Sequence, residues 1–198
     1  PGLATLNQSY NINPFPATAI AIAGAYAKDI SFRRAVNFIE DHFAKHGKNS
    51  AELNAYYANL LIEDDVNKAV AVYSEIVEQT PGSLIALNNY AWVLLEVGRI
   101  DDAKTYIEQA LKINSRHPDV IDTYGKVLLA KGEASQAKAQ FEQSLAIRPN
   151  HPEVQLNLAE AMIKIGEQQQ AGELLAAIKT DNLDYQNRAK ALQQQIEQ

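Results

Sequence analysis

The chain has 198 residues, 46% apolar and 21% charged, with a formal charge of −6 and no cysteine. This composition can form a core, and its acidity lacks the basic footprint that phosphate binding requires, so no nucleic acid partner is expected. The missing thiols exclude disulfides, thiolate metal sites and a cysteine nucleophile, and suit cytosol and periplasm equally.

Residues 1–15, PGLATLNQSYNINPF, show no helical period and include Asn-Pro and Phe-Pro steps, so an extended N-terminal arm is expected there. The chain opens on Pro1 and Gly2 in place of Met, which reads as a processed protein or an excised fragment. The longest apolar run, Ala19 to Tyr26, is too short for a bilayer and lacks a basic flank. Neither membrane insertion nor a signal peptide is expected from it.

From residue 16 onward the chain repeats. Ala35, Ala69, Ala103, Ala137 and Ala171 follow at steps of 34 residues. Gly98, Gly132 and Gly166 keep the same period, as do Ala91, Gly125 and Ala159, with Ala58 one residue out of step. Ile39, Tyr73, Ile107, Phe141 and Leu175 make a fourth series. A fixed period of this length marks a stack of supersecondary units. Small residues allow two helices to approach closely. The glycine suits a helix C-terminus at positive φ, and the bulky residue one turn after each second-helix alanine fills the space between helices. Pro81 and Pro149 stand where second helices end.

The segments NNYAWVLLEVGRIDDAKTYIEQALKI and DTYGKVLLAKGEASQAKAQFEQSLAIRP resemble tetratricopeptide repeats. The resemblance implies an all-α, right-handed superhelix of about five helix hairpins at roughly 16–49, 50–83, 84–117, 118–151 and 152–182, closed by a polar capping helix at 183–198. In that helix Leu183, Tyr185 (or Ala189) and Leu192 are expected to face inward. Ile30 replaces the turn glycine in the first unit, whose small residue is Ala23 or Gly24, and Asp64-Asp65 forms a shortened turn in the second. The stretches LNNYAW, DVIDTYG and VQLNLAEAM are also similar to the C-terminal part of exosortase-associated (PEP-CTERM system) repeat lipoproteins of Gram-negative bacteria. That similarity implies a periplasmic or outer-membrane-associated protein in exopolysaccharide or protein-sorting machinery; otherwise a cytoplasmic protein is expected.

In this family the first helices line a concave groove. Carried over to this sequence, the groove contains Glu52, Asn59 and Glu63, then Ile85, Asn88, Asn89, Trp92, Leu95 and Glu96. Asp119, Asp122, Thr123, Lys126 and Leu129 follow, then Leu156, Asn157, Glu160 and Lys164. Asn59, Asn89 and Asn157 can each donate and accept, which suits holding a peptide backbone; capping or solvent contact is the alternative. Trp92, the only tryptophan, either meets the ligand or packs on the next first helix. One subclass of the family clamps a C-terminal carboxylate. Asn59 and Asn89 match its asparagines, but Ala55, Asp119 and Thr123 stand where its cations belong, and Glu96, Asp119, Asp122 and Glu160 are expected to repel an acidic tail.

His42 and His46 lie four apart beside Glu40 and Asp41, a metal-ligand spacing, but no third histidine joins them, and a solvated helix face is expected. His117 and His151 hold equivalent loop places before Pro118 and Pro152. No phosphate loop, nucleophile elbow or Ser-His-Asp set is present in the sequence. The expected function is therefore a non-catalytic scaffold with no cofactor or metal. It binds a protein or peptide through an apolar, neutral or basic segment. A self-assembly module, forming a homo-oligomer, and an accessory domain of a larger enzyme are the alternatives.

Overall fold

The structure is a computed structural model and describes residues 2–29, 31–48 and 50–197. Among these residues every regular element is an α-helix. The helices are α1 (Leu3–Ile12), α2 (Pro16–Asp29), α3 (Phe32–His46), α4 (Ala51–Asp64), α5 (Val66–Gln79) and α6 (Leu84–Glu96), then α7 (Ile100–Ile113), α8 (Pro118–Ala130), α9 (Ala134–Ile147), α10 (Pro152–Lys164), α11 (Gln168–Ala177) and α12 (Leu183–Ile196). The Ile30 substitution noted above falls outside the described residues. No described helix is long and apolar enough to cross a membrane. The chain divides into two compact units, Pro1–Pro81 and Gly82–Gln198.

In the first unit α2 packs on α3, α3 on α4, and α4 on α5. Ser31, Ser50 and Asp65 cap α3, α4 and α5, each side chain accepting from a backbone N–H three residues on. Asp65 is the whole connection between α4 and α5, which accounts for the shortened repeat. Ala23, not Gly24, is the fully buried small residue of α2.

Two expectations are corrected here. Residues 3–12 are helical where an extended arm was expected. Leu3, Leu6, Asn7 and Tyr10 are half-buried at helical spacing, and α1 docks on α2. The stripe has only four positions and one of them, Asn7, is polar, which hides the period. His42 is buried, not solvated, at 3% exposure. A hydrogen bond of 2.7 Å joins its Nδ1 to the Tyr10 hydroxyl, and the Tyr10 ring lies 5.2 Å from that of Phe38. The helix hidden in the sequence is what covers the histidine.

In the second unit α6 and α7, α8 and α9, and α10 and α11 form antiparallel hairpins, and α12 packs on α10 and α11. Each first helix closes the same way. Gly98, Gly132 and Gly166 have φ of 76°, 81° and 85°, where a side chain would be strained. Their N–H groups bond back to Leu95, Leu129 and Ile163, and the next residues bond to Leu94, Leu128 and Met162. The closure satisfies carbonyls a helix end leaves orphaned and reverses the chain within three residues.

Behind the turns, Ala103, Ala137 and Ala171 are all at 0% exposure, as are Ala91 and Ala159 in the facing first helices. Gly125 is the exception in its series, and its partner explains it. A Cβ at 125 would lie 2.5 Å from Phe141 Cε1, and Phe141 is itself fully buried. The neighbouring units place smaller Ile107 and Leu175 at the position of Phe141 and accommodate alanine. In α12, Leu192 is buried and Tyr185 and Ala189 pack beside it against Leu156, Ala159, Ala171 and Leu175. Leu183 is 65% exposed and does not face inward as expected. It is the first helical residue, two before Tyr185, which puts it on the opposite side of α12 from the stripe that the helix buries.

Two outcomes test this packing. Gly125→Ala gains helix propensity of about 1 kcal/mol but drives a methyl into a fixed ring, at about 1–3 kcal/mol by overpacking. Thermal melting should show net destabilisation, and Gly125→Ala with Phe141→Leu should couple favourably by about 0.5–3 kcal/mol; strict additivity overturns the pairing. Burial, then the neighbouring His46, lowers the pKa of His42. The unfolded chain, titrating near 6.5, therefore binds the proton better, so this contribution is complete above about pH 6.5 and is lost as pH falls below it. Melting across that range should show a slope that His42→Leu largely removes.

Candidate functional site

The second unit carries a cleft of about 580 Å³ lined by Trp92, Leu95 and Glu96 from α6, Lys126, Leu129 and Ala130 from α8, and Glu153, Asn157, Glu160 and Lys164 from α10, with Arg188 from α12. Repeat geometry puts these side chains together. Ala91 and Leu94 are fully buried in the hairpin core, which turns Trp92 between them toward the cleft, where it is half-buried. Leu95 and Leu129 continue the apolar floor beside it.

The polar wall is an ion lattice. Asn157, at 2% exposure, donates from Nδ2 to Asp122 Oδ1 at 2.9 Å. Lys126 Nζ lies 3.2 Å from Asp122 Oδ2 and also bridges to Glu153, whose second oxygen accepts from the Tyr185 hydroxyl at 3.4 Å. Arg188 pairs with Glu160 at 2.9 Å. Burial pushes the Asp122 carboxyl up, against the pull of Lys126 and Asn157. Burial disfavours the Lys126 ammonium, but Asp122 and Glu153 outweigh it and raise its pKa. Burial likewise opposes the Glu153 charge, and Lys126 overcomes it, so the group is lowered. Lys126 is thereby held protonated. A lysine that acts as nucleophile or base needs the opposite shift, so the lattice fixes charge and does not activate a group.

The remaining expected groove residues distribute as follows. Asn88 and Asn89 line a second, smaller hollow of about 330 Å³ with Leu84, Ile85, His117, Asp119 and Val120. Asn88 Nδ2 donates to Asn89 Oδ1 at 3.3 Å. Thr123 and Leu156 are buried, Thr123 bonding back to the Asp119 carbonyl and Leu156 lying in the core under α12. Asn59 belongs to the first unit, where it is exposed and accepts from the Tyr73 hydroxyl. Asp122 is buried beneath the cleft wall. Two charged lining residues, Glu153 and Arg188, are not among the expected groove residues. Glu153 follows the proline that opens α10 and stands 34 residues after Asp119, so the repeat does place it at a groove position, whereas Arg188 comes from the capping helix beyond the last repeat.

This arrangement corrects the expected electrostatics. Asp119 pairs with Arg148, Glu160 with Arg188, and Asp122 with a Lys126 that it shares with Glu153, so the acidic repulsion assigned to these residues is reduced inside the unit. Asp119 and the buried Thr123 still stand where a carboxylate clamp needs cations. Among the described residues no group of three or more His, Cys, Asp or Glu side chains could hold a metal ion. His117 and His151 are the residues preceding Pro118 and Pro152 at the starts of α8 and α10.

A tetratricopeptide-repeat family model matches residues 60–126 and 128–196, together more than half of the chain. No curated protein matches it. Among solved structures, the chain is similar to a thermophilic tetratricopeptide-repeat protein of Thermus thermophilus, at 19% identity and a TM-score of 0.77, over 90% of this chain and 98% of that one. A tetratricopeptide-repeat protein from Parabacteroides merdae is 12% identical with a TM-score of 0.78, over 99% of this chain and 91% of that one. PilW, a type IV pilus biogenesis factor, is 23% identical with a TM-score of 0.71, over 88% and 78% of the respective chains. At these identities the likeness is one of fold. The repeat period, the glycine-closed hairpins and the family match together show that the chain belongs to the tetratricopeptide-repeat family, a fold of protein-interaction scaffolds.

Proposed function

We propose that the protein is a non-catalytic scaffold that binds a protein or peptide through the cleft of its second unit, taking an apolar, neutral or basic segment. The observation that carries this reading is Trp92, half-buried on the apolar floor with Leu95 and Leu129 under a wall of fixed charges. A rigid aromatic beside aliphatic floor residues and a polar rim is the pattern of an interface anchor. The lattice supports it from below, because cleft side chains held by one another lose little freedom on binding. The similarity of LNNYAW, DVIDTYG and VQLNLAEAM to envelope lipoproteins favours a role in a bacterial export or exopolysaccharide system.

Trp92→Ala separates anchor from core. Affinity for a partner captured on the wild-type protein should fall by about 2 kcal/mol or more, with little change in melting. A stability loss of about 3–5 kcal/mol assigns the ring to the core and overturns the reading. For the envelope role, the full-length gene product should fractionate with the periplasm or outer membrane of its host. Recovery in the cytosol alone removes that part of the proposal.

A further inference from the structure

Two charged residues of the cleft stand outside its ion pairs, one on each of its outer first helices, while Lys126, shared by Asp122 and Glu153, leaves one further negative charge in the wall. Lys126 is engaged by Asp122 and Glu153, and Arg188 by Glu160. Glu96, the last residue of α6, and Lys164, the last residue of α10, are both exposed lining residues and enter no ion pair among the described residues. Trp92 stands one turn before Glu96 on α6 with Leu95 beside it, and Leu129 lies on the intervening helix α8.

The spacing of these two groups follows from the packing. α6 packs on α8 and α8 on α10, so Glu96 and Lys164 are two helix spacings apart. At about 8–10 Å per spacing the separation is roughly 16–20 Å. An extended chain rises about 3.3 Å per residue, so the interval corresponds to about five or six residues. The Lys126 ammonium has three donors, with two carboxylates as partners, which leaves donor capacity for a backbone carbonyl midway.

Resting on the peptide-binding reading above, we propose that the cleft selects an extended internal segment of a partner protein with a Lys or Arg at one end, a Leu-like or aromatic residue beside it, and an Asp or Glu about five residues from the cation. The cation meets Glu96, the apolar residue covers Trp92, and the carboxylate meets Lys164. Both protein groups are solvent-exposed, so each contact contributes modestly and acts chiefly by excluding the wrong charge.

The test uses three peptides of equal length, blocked at both ends, with the same apolar residue next to the first of two charged positions. The two charges are one basic and one acidic, both basic, or both acidic. Trp92, the single tryptophan, reports binding by its fluorescence. The mixed-charge peptide should bind tightest, by about three- to tenfold over either like-charged peptide at low salt, and the ranking should flatten in about 1 M salt. Glu96→Lys should move the preference to the doubly acidic peptide, and Lys164→Glu to the doubly basic one. Circular dichroism melting confirms that each variant is folded, and Glu96→Gln and Lys164→Gln stand in for a variant that is not. Peptides that all bind with the same affinity, or a ranking unmoved by these substitutions, overturn the charge selection while leaving the peptide cleft intact. No fluorescence response to any of the three, with the Trp92→Ala protein still binding its captured partner, removes the cleft itself.

Discussion

Everything in the second unit depends on how closely the two helices of each hairpin approach. Alanine at 0% exposure on both sides of the contact leaves no room for a larger side chain. That closeness is a volume constraint and not a preference for alanine as such. Where Phe141 enlarges one side, residue 125 gives up its Cβ altogether. Close-packed interiors trade volume in this pairwise way because a void or an overlap of one methyl is already felt. The constraint also decides what is left for function. With Ala91, Val93 and Leu94 committed to the core of α6, Trp92, Leu95 and Glu96 are the residues that remain to line the cleft.

The charged wall follows a different logic. Asp122 is nearly buried, and an isolated carboxylate there would be costly. It is retained because Asn157 and Lys126 satisfy both of its oxygens from neighbouring turns and helices. Such a lattice need not add stability over an apolar replacement. It does fix the register of α10 against α8, since a shift of either helix would leave a buried charge without its partners. The apolar core alone tolerates small sliding far better. Lattice and core therefore share the work: close packing sets the distance between helices, and the ion pairs set their register.

How much of this was legible in the sequence differs by feature. The hairpins and the turn glycines could be read directly, because a 34-residue period repeats each constraint several times over. Trp92, Lys126, Asn157 and Glu160 were carried to groove positions by the resemblance to the family, and all four line the cleft. Apart from Glu153, which stands one period after Asp119, what escaped is what the period does not repeat. α1 lies before the first repeat, and its half-buried stripe is short and includes the polar Asn7, so neither the helix nor the burial of His42 beneath Tyr10 had a signal. Arg188 lies beyond the last repeat. The charge balance was misjudged for a related reason. The groove acids are visible at their repeat positions, whereas Arg148 and Arg188, which neutralise two of them, stand outside the groove positions.

The terminal helix shows why ends matter more than their sequence suggests. α12 is polar and Gln-rich, and one face of it, through Tyr185, Ala189 and Leu192, covers the apolar surface that the last hairpin cannot bury alone. The same helix reaches into the cleft, where Arg188 takes up Glu160 and Tyr185 bonds to Glu153. A cap that only shielded the core would leave those carboxylates open, and the cleft would carry an acidic wall. With them engaged, the wall keeps a single net negative charge where Asp122 and Glu153 share Lys126, and Glu96 and Lys164 stand outside its ion pairs. Closing the repeat stack and setting the charge of its binding surface are thus two consequences of one helix, and a change in α12 that preserved its apolar face but removed Arg188 would alter the second without the first.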